Sequence, residues 1–291
     1  MTDKSSPSPP IPTHPLRWLP ELWELSQKRL RSQVRVLGLA LVVGVVAGLG
    51  AIAFYGACQG VVHYALDGAA GYRPHHPGGE PPLLPPTEHP FRPWLLLLIP
   101  TVGGLFSGLL VFTLAPEAEG HGTEKVIESV HQRAGKINPA VVPVKLVSSV
   151  ITIAGGGSAG KEGPSAQIGA GLSSAFAQLL KLNPSDRKKL VVCGISAGFA
   201  SVFGTPIAGA IFGIEVLFIG SVLYEVLLPS FVSGITAYHV SSALGIPYLH
   251  HPIGLPNEAA GIFLGKAAIG GVCFGLVRVV RCCLSVNTEI V

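Results

Sequence analysis

The stretch GGGSAGKEGPS, Gly155 to Ser165, sets five glycines around an adjacent lysine and glutamate, between two apolar runs. Gly155, Gly160 and Lys161 satisfy the G-x-x-x-x-G-K part of a phosphate-binding loop, whose next position takes Ser or Thr for magnesium. Here that position is Glu162. A carboxylate aimed into a phosphate cradle repels the ligand, which sets a nucleotide-hydrolysing membrane enzyme aside. What such loops have in common remains. A glycine-rich turn that opens a helix presents unpaired N–H groups and the positive end of a dipole, and both attract anions. Pro164 suits the first turn of that helix, and Glu162 can itself occupy the anion position.

The surrounding chain is strongly apolar. Of 291 residues, 48% are hydrophobic and 12% charged, and the mean hydropathy is +0.53. Soluble domains carry about 25% charged residues. Val36 to Val62, Trp94 to Ala115 and Leu190 to Ile214 contain no Asp, Glu, Lys or Arg, over the roughly 20 residues that a membrane helix requires. A further run, Val226 to Asn257, is interrupted by prolines and reads as one helix and a loop. Charge is costly at membrane depth, and between Leu146 and Leu180 the only charged residues are Lys161 and Glu162. The alternative reading of this pair is a structural salt bridge or a helix cap.

From Glu117 onward, short apolar pieces alternate with EAEGHGTEKV, KINPAVVP, KLNPSDRKK, FGTPIAG and LLPS. Irregular backbone is tolerated within a membrane where it is buried or lines a polar cavity, and transporters build sites from such broken helices. The expected fold is therefore all-α, a polytopic membrane bundle with broken or re-entrant helices. Gly44 with Gly48, and Gly209 with Gly213, place small residues four apart for close helix packing. Lys28, Arg29, Arg31 and Arg35 precede the first span, which predicts a cytoplasmic N-terminus and an extracytoplasmic Pro/His-rich loop from Asp67 to Pro93. Residues 1–16 read as a polar disordered tail without signal-peptide character, and 17–33 as an amphipathic interfacial helix. The five cysteines show no metal-ligand spacing and read as apolar filler. No metal, cofactor or nucleic-acid partner is expected.

Two more segments bear on function. Gly120-His121-Gly122 precedes the helical pattern EKVIESVHQR, a second anion-friendly turn, and Phe203 to Val216 carries Pro206 opening an apolar helix that ends at Glu215. In this order and spacing the three segments resemble the CLC family of chloride channels and proton-coupled chloride transporters. That family carries G-S-G-I-P, then G-[RK]-E-G-P, then F-x-x-P-[LI]-[AG]-G-x-x-F-x-[IL]-E. Gly160 to Pro164 match the second motif in full, and Phe203 to Glu215 match the third closely. The resemblance covers about residues 35 to 275. It implies a helical homodimer with one pore per subunit, each subunit built from two inverted repeats.

By the same resemblance, Glu162 is the gating glutamate, which withdraws when protonated or displaced by chloride. Gly120, His121, Gly122, Gly160, Lys161, Gly163 and Pro164 form the anion-binding set, with backbone N–H groups around Gly163 and positive field from Lys161. His121 stands where the family has a serine that coordinates the central anion, and Glu124 replaces the motif's proline. Val216 stands where proton-coupled members carry a second glutamate. This favours channel-like passive conduction, with Glu215 as the remaining candidate for a proton pathway. Residues 34–257 read as the first repeat and 258–291 as a truncated start of the second, without its G-x-F-x-P helix start or pore tyrosine. Proton-coupled chloride or fluoride antiport and a non-conducting membrane fragment stay open as alternatives. The expected partners are a small anion, the bilayer, and a second copy or a chain supplying the missing repeat.

Overall fold

The computed structural model describes residues 18–73, 83–157, 159–217, 224–246 and 248, apart from 86 and 88, and in a second unit residues 262, 265, 266, 268–277 and 279. Among residues 18–32, side chains are described only at Gln27. The expected tail at 1–16 lies outside these residues, as do the side chains of the basic cluster other than the exposed Arg35. The described residues form helices and no strand: α1 (Trp18–Val61), α2 (Pro93–Leu114), α3 (Thr123–Gln132), α4 (Val141–Ala154), α5 (Glu162–Leu179), α6 (Pro184–Phe203), α7 (Pro206–Glu215) and α8 (Tyr224–Ala243). The second unit, His250–Val291, is described chiefly by the short apolar helix Ala268–Val277.

Helix α1 runs through both the segment read as interfacial and the first apolar span, and continues as π-helix over Val62–Ala69. The cause is local: from Glu21 to Leu37 there is neither Gly nor Pro to interrupt the i→i−4 ladder. Beyond it, the Asp67 carboxylate accepts hydrogen bonds from Arg73 Nε at 3.0 Å and the Thr87 N–H at 2.8 Å, tying together the two stems of the Pro/His-rich loop. Helix α2 matches the second apolar span, and Trp94, Leu97, Leu105, Phe106, Leu109 and Phe112 are all exposed along it. The third run, Leu190 to Ile214, breaks in two. Gly204 ends α6 in the left-handed region, φ +69°, donating to the Ala200 carbonyl, and Pro206 opens α7. A left-handed glycine followed by proline is a strong stop-and-restart signal.

The first unit is organised around α5, whose small residues are buried on nearly every side. Gly169 meets the carbonyl of Gly194 on α6, and Gly198 meets the carbonyl of Ser165, so a β-carbon at this crossing would drive the two helices apart. The other small pairs behave as membrane packing predicts: Gly44 and Gly48 face Ser233, Thr236, Ala237 and Val240 of α8, and Gly209 and Gly213 face Ser196 and Ala200 of α6. Buried Ser173, Ser196 and Ser201 donate to carbonyls three or four residues earlier in their own helices, which removes the cost of an unpaired hydroxyl.

The α3–α4 connection is held by side chains from α5 and α6. Arg187 Nε donates to the Ala134 carbonyl at 2.8 Å, Ser174 Oγ to that of Gly135 at 2.7 Å, and Gln178 Nε2 to that of Ile137 at 2.9 Å. This clasp holds the connection that follows α3 against α5 and α6.

Candidate anion-binding site

The glycine-rich stretch links two helices, whereas a phosphate-binding loop follows a strand. Helix α4 ends at Ala154, and the Gly155 and Gly157 N–H groups fold back onto the Ile151 and Thr152 carbonyls at 3.0 and 2.8 Å. Gly156 turns through φ +97°. Helix α5 then begins at Glu162, with Lys161 at its cap position and no side-chain cap.

Glu162 is exposed, and its carboxylate folds back over Gly160 into the volume that any β-carbon there would fill. Gly160 is thus the residue that leaves room for this carboxylate. Among the described residues Glu162 forms neither an ion pair nor a capping hydrogen bond.

The GHG turn is brought to the same place. The His121 carbonyl oxygen abuts Gly163 so closely that a β-carbon would collide with it. Gly122, left-handed at φ +93°, stands at the cap position of α3 and packs against the Gln167 side chain of α5. Gln167 is buried and donates from Nε2 to the Glu117 carbonyl at 2.9 Å. The N-termini of α3 and α5 are therefore neighbours, and neither has a side-chain cap. The first amides of a helix lack intrahelical partners, so two sets of N–H groups and two positive dipole ends lie side by side.

One participant was missed by the sequence reading. Lys145 lies one residue before the stretch in which charges were counted, and it is the single ionisable residue of α4. It is only 4% exposed, and Nζ donates to the Ala118 carbonyl at 3.0 Å and the Gly120 carbonyl at 2.6 Å. No carboxylate of a described residue lies within 4.0 Å of it. Burying an ion costs several kcal/mol, and two carbonyl partners return about 1.5–3 kcal/mol each. A lone lysine in the apolar helix VVPVKLVSSVITIA is the signal that would have found it.

A cavity of about 430 Å³ joins these elements, lined among others by Ser107, His121, Lys145, Thr152, Gly160 and Pro164. Thr152 Oγ1 donates to Ser107 Oγ at 3.0 Å and to the Ser148 carbonyl at 2.8 Å, which makes the α2–α4 wall polar. Glu119 is the acidic residue on the lining. The arrangement suits a small anion that lacks directional demands, held by amides, dipole ends and one buried cation.

The third segment lies elsewhere. Pro206, at the start of α7, packs beneath Gly234 of α8. Glu215 is exposed at the opposite end of α7, and two residues on the Leu217 carbonyl lies 2.9 Å from His131 Nε2, at the C-terminal end of α3. A helix of ten residues spans about 15 Å, so Glu215 sits near the far end of α3 from Glu162. The site therefore unites Gly120, His121, Gly122, Gly160, Gly163, Pro164 and Glu162, with Lys161 at its edge and Glu215 outside it.

The chain is similar to several known proteins. A "Chloride/fluoride channel protein" of Pseudomonas syringae pv. tomato is 36% identical over 187 residues, covering 64% of this chain and 40% of its own length. A "Voltage-gated ClC-type chloride channel ClcB" of Escherichia coli K12 is 33% identical over 155 residues, covering 52% of this chain and 36% of its own. The chain thus spans well under half the length of these relatives. Among solved structures, a CLC-type fluoride/proton antiporter superposes with TM-score 0.66 at 26% identity, over 84% of this chain and 55% of the other. A slow cyanobacterial Cl⁻/H⁺ antiporter has the same fold, with TM-score 0.56 at 23% identity over 72% and 47%. The model of the voltage gated chloride channel family matches residues 103–288, which include the GHG turn, the GKEGP loop and the α7 segment, and with that match the chain belongs to this family.

Proposed function

We propose that this chain carries the gating half of a CLC-type pathway for chloride or fluoride, with Glu162 as the gate. The observation that carries the proposal is the position of the Glu162 carboxylate. It lies at the uncapped start of α5, folded over Gly160, unpaired among the described residues and beside the equally uncapped start of α3. A carboxylate there competes with a permeant anion for the same amides. Protonation removes its charge and its claim on the site, and a bound anion displaces it. The amides of the 120–122 turn and of Gly163 bind the anion, while Lys161 contributes field at the edge.

Channel-like conduction is the first reading, because Val216 cannot relay a proton and Glu215 lies near the opposite end of α3. Fluoride-selective or proton-coupled exchange is the second. It is favoured by His121 in place of the family serine and by likeness to a fluoride/proton antiporter and a chloride/fluoride channel protein. In both readings the N-terminus is cytoplasmic, and residues 34–257 supply one repeat. The proposed partner is a second copy of the chain, the assembly that the family resemblance implies.

The test is anion efflux from liposomes containing the purified chain, with Glu162→Gln and Glu162→Ala beside it. Wild-type flux that rises as pH falls, and mutant flux that ignores pH, is the expected pattern. An active protein whose pH response survives both substitutions contradicts the gating role.

A further inference from the structure

A serine inside an apolar helix commonly donates its hydroxyl proton to a carbonyl three or four residues back in its own helix. Ser148 of α4 does so, onto the Lys145 carbonyl at 3.2 Å, and every other buried serine among the described residues has a hydrogen-bond partner too, except Ser149. Ser149 is 8% exposed, and its hydroxyl makes no hydrogen bond with a described residue. A buried hydroxyl without a partner is unfavourable, so its surroundings decide what it is there to meet.

Those surroundings are the cavity of about 430 Å³, whose lining holds Ser149 together with His121, Gly160 and Pro164. Among the described residues, the fully enclosed and unpaired side-chain oxygens are Thr87 Oγ1 and Gln167 Oε1. Ser149 Oγ thus keeps open surface, and on a residue this buried that surface is the cavity. Four residues on from Lys145, Ser149 shares that residue's face of α4 and stands about 6 Å further along the axis. Lys145 reaches the Gly120 carbonyl of the GHG turn, and α4 runs on to Ala154, where the glycine-rich stretch begins. Ser149 therefore lies on the wall that spans both anion-friendly turns.

We propose that Ser149 Oγ is a direct ligand of the anion, donating its O–H from the α4 wall in addition to the amides at the starts of α3 and α5. A hydroxyl suits this role because it rotates to follow the anion and gives a short, charge-assisted hydrogen bond. The other hydroxyls on the described lining are already committed. Ser148 donates to the Lys145 carbonyl, Ser107 Oγ to the Ser148 carbonyl at 3.2 Å, and Thr152 Oγ1 is shared between Ser107 Oγ and the Ser148 carbonyl. Ser149 is the hydroxyl on this wall that no described residue uses. A residue needed there only for packing would be better served by alanine, which leaves no polar atom to satisfy and has the higher helix propensity.

This assignment rests on the anion reading of the site, and the experiment separates the two. Chloride and fluoride are titrated calorimetrically into the purified chain in detergent, as wild type, Ser149→Ala, Ser149→Cys and Ser173→Ala, after far-UV circular dichroism and gel filtration have established folding. Ser173 is a buried serine of α5 that is not on the cavity lining and whose hydroxyl donates to the Ala170 carbonyl at 2.8 Å. The expected result is a loss of anion affinity of about tenfold or more in Ser149→Ala, the scale of one hydrogen bond involving a charged group, while Ser173→Ala binds as wild type does. Ser149→Cys keeps nearly the same shape but donates weakly, and it loses affinity as well, so the loss follows the donor and not the volume. Wild-type binding that is unchanged in folded Ser149→Ala overturns the Ser149 assignment alone, and so does a loss that Ser173→Ala shares. A wild type that binds neither anion overturns the anion reading along with it. If Ser149→Ala does not fold, folded Ser149→Cys decides: reduced affinity supports the assignment, and unchanged affinity overturns it.

Discussion

The two ends of α3 are built to opposite rules. At its C-terminal end and in the connection that follows, polar groups find partners: His131 with the Leu217 carbonyl, Arg133 with Glu117 and Glu128, Arg187 with the Ala134 carbonyl, and Ser174 with Gly135. At its N-terminal end, Gly122 provides no cap, the neighbouring α5 begins equally uncapped, and Glu162 stands unpaired among the described residues. Burial makes unpaired polar groups costly, and protein partners remove that cost at one end, while on the proposed reading the other end is left open for an anion. Lys145 adds to the contrast, because it is buried beside the open end and donates to the Ala118 and Gly120 carbonyls.

The contrast is broken most severely by Gly163→Val. The new side chain would collide with the His121 carbonyl and push the two helix starts apart. The expected outcome is loss of measurable anion binding together with a stability loss of about 1–3 kcal/mol, the usual cost of overpacking. Isothermal titration and thermal unfolding of the same preparation check both parts, and intact anion binding in Gly163→Val would show that the two turns need not touch.

Arg187→Met acts on the satisfied end. Removing a charged donor to the Ala134 carbonyl is expected to cost about 1.5–3 kcal/mol while leaving anion affinity in the folded protein unchanged. A fall in affinity measured by titration well below the unfolding temperature would mean that the two ends are coupled. His121→Ser is the mildest change. It leaves the backbone contact with Gly163 in place, so the unfolding free energy should stay within about 0.5 kcal/mol of wild type, as for surface substitutions. The chloride-to-fluoride preference in a competition titration should shift. An unchanged preference would remove the imidazole from the ion's surroundings.

Much of this plan is readable from the residues because the relevant signals are local. Glycine and proline fix where helices stop and restart, which is why the break at Gly204–Pro206 and the helix start within GKEGP could be placed from sequence. Small residues four apart announce a packing face. They do not name the partner: that Gly44 and Gly48 meet α8, or that Gly169 interlocks with Gly194 and Gly198, is a fact of chain crossing. The same limit applies to the site. Sequence can mark GHG and GKEGP as anion-friendly turns, but their meeting at His121 and Gly163 is set by how the starts of α3 and α5 pack, which neither motif encodes. Lys145 escaped because its role lies in two backbone carbonyls 27 and 25 residues away, and carbonyls leave no trace in a residue pattern. The α7 segment shows the converse: its motif marks the family, yet its start packs on α8 and its end lies beyond α3.

On the proposed reading, Glu162 gates an anion site at the joined, uncapped starts of α3 and α5. Chloride and fluoride efflux from liposomes holding the chain, measured across pH for wild type and Glu162→Ala, tests it most directly. The account predicts anion-selective flux that rises as pH falls in wild type and becomes insensitive to pH in Glu162→Ala. Flux with the same pH profile in both proteins, or none from folded and inserted protein of either kind, would contradict it.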